Sequence, residues 1–456
     1  MIRTDSTNVN TLIGTCNLEW RTALFTKFTR VIEVKDIFNT QLTVGLVELI
    51  VSCQGVQLQK DEVEFQIRKE SQSLIESDRL FFTYSKRWWN DFLFIRPSSF
   101  SDRLVKIFAT REGDNRRECV TNFIHPFKSE FIETPRHAAR FVSLIPYEKT
   151  QGIGEGKQDV WRDTHTFLTV GKGDAQDHAV LLCNLLLGFH LDAYVVCGLD
   201  KKSNAHLWVL TIEIDGSVTF WDSLTGNRYK RPRKSVINNQ DDKVNEKWYP
   251  YRTIGCLFNH KSFYANIQVS DSTDTCDFNL QNDKLWKQMS NDALNSIKTD
   301  FTMYPFKPTN LAESGFVSGT DLENALKSRI VQYRQDHGFK GSILFTEDLE
   351  MRSLLTQQLW KYETRKILDI IDDEYFQTGI KLLIPDGHTF KGYPANFNNH
   401  DIDGIFNSFL KSSVCREIML TRGDHVRFCV GAKSFGYVEN VGSCWIMIAV
   451  RYRKIE

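Results

Sequence analysis

The stretch GKGDAQDHAVLLCNLLLGF, residues 171–189, sets a glycine, an acid and a polar turn ahead of a long apolar helix. Asp174 is a good N-cap, which makes Ala175 the first helical residue. A thiol there would be activated, because the positive helix end and its unpaired N–H groups lower a thiol pKa. Nucleophilic cysteine chemistry needs a thiolate, a histidine to take its proton and a group to orient that histidine. His206, opening the strand AHLWVLTIEI, and Asp222, closing SVTFWDS, supply the last two residue types. Position 175 holds only a methyl group, which cannot attack a carbonyl.

Whether His206 and Asp222 can meet depends on one turn. A three-residue loop, Ile214-Asp215-Gly216 with the glycine left-handed, pairs Glu213 with Ser217 and puts both side chains on one sheet face, since strand side chains alternate with period two. A two-residue loop puts them on opposite faces. Other residues could stand in for the nucleophile. Cys183 lies eight residues along the helix, about 12 Å away by helical rise, in a leucine-rich run that reads as core. Ser203 reads as a loop serine. His178, one turn past Ala175, reads first as a structural, hydrogen-bonded histidine and second as a cleft-lining base. Trp208 and Trp221 flank the pair as packing residues or cleft walls.

The elements that must carry these residues follow from pattern. The strands TLIGTCNLEW, RVIEV and QLTVGLVELIV occupy residues 11–53, too few to close a sandwich. A charged helical stretch runs from about Val56 to Phe94, with Trp88, Trp89, Phe92 and Leu93 as a core-facing stripe and Pro97 as its stop. Thr134 before Pro135 starts a helix. A shorter helix is expected around Trp161. The central helix runs from Asp174 to Leu187 with Gly188 as C-cap, and three strands follow. Residues 227–320 read as irregular. Two helices near 321–335 and 346–372 precede antiparallel strands from REIMLTRGDHVRFCVGAKSF to CWIMIAVRYR.

At 456 residues the chain makes two or three domains of about 100–200 residues each. Fifty-seven basic residues balance 57 acidic ones, which argues against nucleic acid or an anionic membrane as an obligate partner. The basic run YKRPRK, Tyr229 to Lys234, reads as a solvated loop. The ten cysteines form no CxxC pair, and Cys183, Cys197, Cys429 and Cys444 sit in apolar runs as buried thiols. The opening MIRTDSTNVN lacks the apolar core of a signal peptide, and the longest near-apolar stretch is about half a membrane span, so a reducing, cytoplasmic compartment is expected. No metal-ligand spacing or Walker loop occurs, and Gly152, Gly154 and Gly156 are wrongly spaced for a dinucleotide fingerprint; no metal and no cofactor is expected.

GDAQDHA, LLLG, AYVVCG, AHLWV and GSVTFWDSLTG together resemble the transglutaminase-like/papain-like peptidase fold, whose motif runs G-x-C-x-[DE]-x-A, then H-x-W, then W-x-D. Gly173, Asp177, Ala179, His206, Trp208 and Asp222 match; Trp221 and Asp222 stand adjacent, and Ala175 departs at the nucleophile. RPSSFSDRLVKIFA, TPRHAARFV, SLTGNRY, YPYRTIGCLFNH, IPDGHTFKGYP and RGDHVRF further resemble the centrosomal protein of 76 kDa family, from about Asn17 to Arg453. The resemblance implies an α+β chain: residues 1–55 as the last strands of an incomplete C2-like β-sandwich, 56–130 as a helical linker, 131–300 as a transglutaminase-like core of helix on antiparallel sheet, and 301–456 as a C-terminal α+β region. Calcium binding to the first block is poorly supported, with only Glu19, Glu33, Asp36 and Glu48 available. The implied function is a non-catalytic centrosomal or centriolar scaffold that restrains centriole reduplication. Its implied partners are centriole-capping proteins, without nucleic acid or integral membrane association, at the centrosome, centriole or ciliary basal body. The vestigial site is then Ala175, His206 and Asp222, with His178, Trp208 and Trp221 as cleft-lining candidates. Two alternatives stay open: an active hydrolase or transglutaminase with an unrecognised nucleophile, or a cleft that binds peptides or tubulin tails.

Overall fold

The computed structural model describes residues 2–4, 10–12, 14–15, 18–36, 42–55, 58–95, 103–112, 116–149, 159–231, 249–298, 318–341, 344–368, 374–439 and 441–453. Pro97, the three glycines of 152–156 and residues 232–234 of the basic run lie outside them. The chain divides into two units, Met1–Pro305 and Phe306–Glu456.

The first unit opens with a two-stranded ladder, β1 (Ile2–Thr4) on β2 (Asn10–Leu12). A three-stranded antiparallel sheet follows, made of β3 (Gly14–Thr15), β4 (Phe28–Asp36) and β5 (Thr43–Val51). One face of that sheet buries Ile32 and Val34, while Val31, Leu46 and Ile50 stand exposed on the other. Helix α1 (Lys60–Ile95) is 36 residues long and charged. Its C-terminal half packs through Phe81, Ser85, Trp88 and Phe92, the 3–4 spacing of one helical face, while Val63 is the one buried residue of its N-terminal half. The Trp88 and Phe92 rings stack 5.9 Å apart, and the Trp88 indole donates to the Gln288 carbonyl at 3.0 Å. Leu93 turns outward, so the expected stripe narrows to two residues.

Short strands β6 (Phe108–Arg111) and β7 (Arg117–Cys119) pair antiparallel, and β8 (Val160–Trp161) joins β6 in parallel. Trp161 therefore sits in a strand, not the expected helix; α3 (Thr164–Val170) starts after it, capped by Asp163. Helix α2 (Pro135–Leu144) begins as its sequence dictates, with the Thr134 side chain accepting from the His137 N–H at 3.0 Å.

Helix α4 (Ala175–Gly188) packs on a seven-stranded antiparallel sheet. The strands are β9 (Asp192–Asp200), β10 (Ala205–Ile212), β11 (Val218–Trp221), β12 (Arg228–Arg231), β13 (Tyr251–Phe258), β14 (Phe263–Asn266) and β15 (Trp286–Gln288), in the order β12-β11-β10-β9-β13-β14-β15. The region expected to be irregular thus contributes four strands, followed by α5 (Asn291–Ser296). Both sheet faces are buried. Ala193, Val195, Cys197, Leu207 and Val209 form the face that α4 covers. Tyr194, Val196, Trp208, Leu210, Val218 and Phe220 form the other, roofed by Tyr249, Cys276, Phe278 and Leu280. A strand buried on both sides carries apolar residues at nearly every position, as AYVVCG and LWVL do. Gly188 is the last residue of α4 but not a left-handed cap; His190, at φ 62°, takes that conformation. Gly188 is needed because a Cβ there would lie 1.8 Å from the Phe127 carbonyl oxygen.

The second unit is a three-stranded antiparallel sheet, β16 (His388–Phe397), β17 (Asp424–Gly436) and β18 (Gly442–Arg453), with β18 central. Helices α6 (Gly319–Asp336), α9 (Ile402–Lys411) and α10 (Ser413–Met419) cover one face through Leu322, Leu326, Ile405 and Ile418. Helices α7 (Leu349–Ile367) and α8 (Glu374–Leu383) cover the other through Met351, Leu355, Phe376 and Ile380. Alternation along β17 feeds both cores, with Phe428, Val430 and Ala432 on one and Cys429 on the other. The Arg451 guanidinium pairs at 2.5 Å with the Asp348 carboxylate, both side chains buried. Cys183, Cys197, Cys429 and Cys444 are all buried, as their apolar surroundings require.

Candidate functional site

The head of α4 is built by a capping box. The Asp174 carboxylate accepts from the N–H groups of Gln176 and Asp177 at 3.1 and 3.3 Å, and Asp177 returns a bond to the Asp174 N–H at 3.2 Å. Two glycines admit this turn. Gly171 closes α3 at φ 69°, and a Cβ on Gly173 would lie 2.5 Å from the Asp177 carboxylate. Arg162 holds Asp177 from the other side, its N–H 3.1 Å and its guanidinium 3.6 Å away, and a second bond ties it to Glu112 at 2.8 Å. Burial, with Asp174 beside it, pushes the Asp177 carboxyl well above its usual range, against the pull of Arg162. Ala175 sits half-buried at this intact helix start.

Below it lies a group without any sequence signal, because its members are scattered from residue 106 to residue 256. Cys197 and Cys256 face each other across β9 and β13. Their mutual hydrogen bond and burial push the Cys197 thiol well up. The Lys106 backbone N–H reaches the Cys256 sulfur at 3.4 Å, and its ammonium pairs with Asp159. Burial lowers the Lys106 pKa, while Cys197, Cys256 and Asp174 draw it back up.

His206 and Asp222 come together, and the deciding turn is the three-residue one. Glu213 donates to the Ser217 carbonyl at 2.9 Å, Gly216 lies at φ 79°, and the register continues through Ile212↔Val218 to Val209↔Trp221. The shared face is nevertheless the wrong one for chemistry at Ala175. The His206 ring lies 6.2 Å from Trp208 and 6.1 Å from Tyr251, whose own rings stack at 4.1 Å. Those aromatics belong to the face turned away from α4. The sheet therefore stands between the dyad and the helix start, and the expected constellation of Ala175, His206 and Asp222 is corrected to two separate pieces. Burial lowers the His206 pKa, with Asp222 and Asp200 opposing. Asp222 is buried and also has a structural task, its Oδ1 accepting from the N–H groups of Leu224 and Thr225 at 3.0 and 3.3 Å.

The cleft-lining candidates are corrected as well. His178 is fully buried, its Nδ1 2.6 Å from the Asp174 carbonyl and its Nε2 3.0 Å from that of Ile145, so it ties α4 to the end of α2. Trp208 is fully buried, and its indole N–H, like the Tyr251 hydroxyl, has no hydrogen-bond partner among the described residues. Trp221 is buried on the α4 side, donating to Thr211 Oγ1 at 3.0 Å. Ser203, at φ 64°, accepts from Arg252 at 2.6 Å in a solvent-facing loop, and Cys183 is sealed in the core. Among the described residues no cluster of three or more His, Cys, Asp or Glu side chains is arranged to hold a metal ion, and no helix is long and apolar enough to cross a membrane.

Comparison with known proteins follows this architecture. Residues 159–289 match the family described as the CEP76 peptidase-like domain, and residues 317–453 match the centrosomal protein of 76 kDa C-terminal domain. The human Centrosomal protein of 76 kDa is 37% identical over 474 residues, covering 100% of this chain and 70% of its own length; the Danio rerio protein of that name gives the same figures. Human Protein CC2D2B is 25% identical over 204 residues, covering 44% of this chain and 13% of its own. Among solved structures, calcium-bound LapG of Legionella pneumophila aligns with 44% of this chain and 91% of its own at 14% identity and a TM-score of 0.23, too loosely to carry a structural argument. With 37% identity along the whole of this chain to the first of these relatives, the chain belongs to the centrosomal protein of 76 kDa family.

Proposed function

We propose that this chain is a centrosomal structural protein whose peptidase-like domain has no catalytic role and acts through protein–protein contacts. The observation that carries this reading is the state of the α4 head. The cap, the helix and the buried supports of a nucleophile position are all in place, yet the residue is Ala175. A methyl group offers no lone pair, and the thiols of Cys183, Cys197 and Cys256 are buried. Burial pushes the Cys183 thiol up, and the Cys256 hydrogen bond together with burial does the same to Cys197. The family name supports the centrosome as its location. Centriole-capping proteins as partners, and restraint of centriole reduplication as the role, are the finer parts of the proposal. Residues 1–55 as C-terminal strands of a C2-like β domain complete it, supported by the exposed apolar side of the β3–β4–β5 sheet.

The test is turnover. The 456-residue chain is incubated with fluorogenic peptide mixtures, and with a glutamine peptide plus an amine donor. No product above the buffer control is expected; hydrolysis or crosslinking that disappears in His206→Ala overturns the proposal.

A further inference from the structure

The face of the seven-stranded sheet turned away from α4 carries a second feature, at the opposite end of β10 from His206 and roughly 20 Å from it by strand rise. There the β10–β11 turn and the segment 276–281 bound a cleft of about 640 Å³. That volume lies within the usual range of ligand sites, about 300–1,000 Å³. Its floor is apolar and aromatic: Tyr194, Val218, Tyr264, Phe278 and Leu280, all buried in the fold. Tyr194 and Tyr264 meet edge to face at 6.1 Å, which leaves aromatic surface bordering the opening.

The rim is acidic. Glu213 and Asp277 line the mouth with exposed carboxylates, Asp192 stands beside them with its carboxylate bonded to the Tyr194 side chain, and among the described residues no ion pair engages the three. Among the described residues the lining holds one cation, Arg231, and its N–H groups are committed elsewhere. It donates to the carbonyls of Cys276 and Asp274 at 2.8 Å each and lies 5.2 Å over the Phe278 ring, strapping the 274–278 segment in place. Among the described residues the cleft thus joins a greasy, aromatic floor to three carboxylates and one guanidinium, an acidic excess of two charges. Ile214, wholly exposed at the tip of the turn, extends the apolar strip outward.

We infer that this cleft takes the arginine side chains of an extended basic peptide segment from a partner protein. The aliphatic stem of arginine covers apolar surface while its head stays at the polar rim. The guanidinium suits both carboxylates and the faces of tyrosine rings. The inference does not depend on whether the α4 head is catalytic, since the cleft lies across the sheet from it.

The experiment is fluorescence anisotropy of the full chain with a capped, dye-labelled peptide of sequence Gly-Leu-Arg-Leu-Arg-Gly. Two controls replace both arginines by citrulline, an uncharged near-isostere, or by glutamate. Saturable binding of the arginine peptide is expected, weakened about tenfold or more by citrulline. Glu213→Gln and Asp277→Asn should each weaken it about three- to fivefold at low salt, the scale of one partly exposed charge pair. Both positions are exposed, and an unchanged thermal midpoint verifies that each variant folds. The inference is overturned if binding does not saturate by about 1 mM, if citrulline or glutamate peptides bind as well, or if the variants bind like the parent.

Discussion

Ala175→Cys supplies the thiol that the head of α4 lacks. A helix start favours a thiolate by about 0.3–1 kcal/mol, or roughly 0.2–0.7 pKa units. Here two of the first-turn N–H groups are already spent on the Asp174 carboxylate, so the lower end applies. Asp174 itself opposes ionisation. A charge roughly 6 Å away at an effective dielectric of about 40 costs about 1.4 kcal/mol, one pKa unit. His206 cannot offset this, because it points to the other face of the sheet. With these two effects combined the introduced thiol should therefore titrate at about 9.3, above the ordinary value of about 8.5 and far from the roughly 3–4 of a histidine-paired catalytic cysteine. The assay is the pH dependence of iodoacetamide alkylation, read by mass spectrometry on the peptide that contains residue 175. An inflection below about pH 7 that moves in His206→Ala would refute the separation of helix and dyad.

Further tests address the supports. Gly188→Ala should cost about 2–3 kcal/mol in urea denaturation, because the added Cβ meets the Phe127 backbone carbonyl and not a yielding side chain; a loss below about 0.5 kcal/mol contradicts that contact. Arg451→Met leaves the buried Asp348 carboxylate without its cation and should destabilise by about 3 kcal/mol, partly recovered in Arg451→Met/Asp348→Asn; equal stability of single and double variants sinks the pairing. Burial, with Lys261 and Lys298 near, pushes His260 down to about 4. The unfolded chain then binds more protons than the folded one between pH 6.5 and about 4, so stability is full above pH 6.5 and falls as pH drops through that window. His260→Gln should flatten this acid-side slope in denaturation midpoints measured across it, and an unchanged slope assigns it to other groups.

Local chemistry was legible and long-range facing was not. Thr134-Pro135 and Asp174 start their helices for reasons contained within four residues, and Gly216 settles the turn that brings Asp222 beside His206. Which sheet face α4 would cover could not be read, because AYVVCG and LWVL are apolar at both parities. The strands β13 to β15 escaped because their partners lie up to 63 residues away and their flanks are polar. Trp161 looked helical from the Thr164 helix that follows, but pairing with Arg111 makes it a strand. Gly188 looked like a cap because its real constraint, the Phe127 carbonyl, lies 61 positions upstream.

The stack of His206, Trp208 and Tyr251 bears on how reversible the fold's present state is. Swinging the imidazole toward the helix would require β10 to slip by one residue, and a slip carries every neighbour with it. Trp208 and Leu210 would be driven into the tightly filled space under α4, and Leu207 and Val209 would be left among the tyrosines. Supplying sulfur is one codon's work; turning the strand over would mean rewriting the barrier layer between the two halves of the domain.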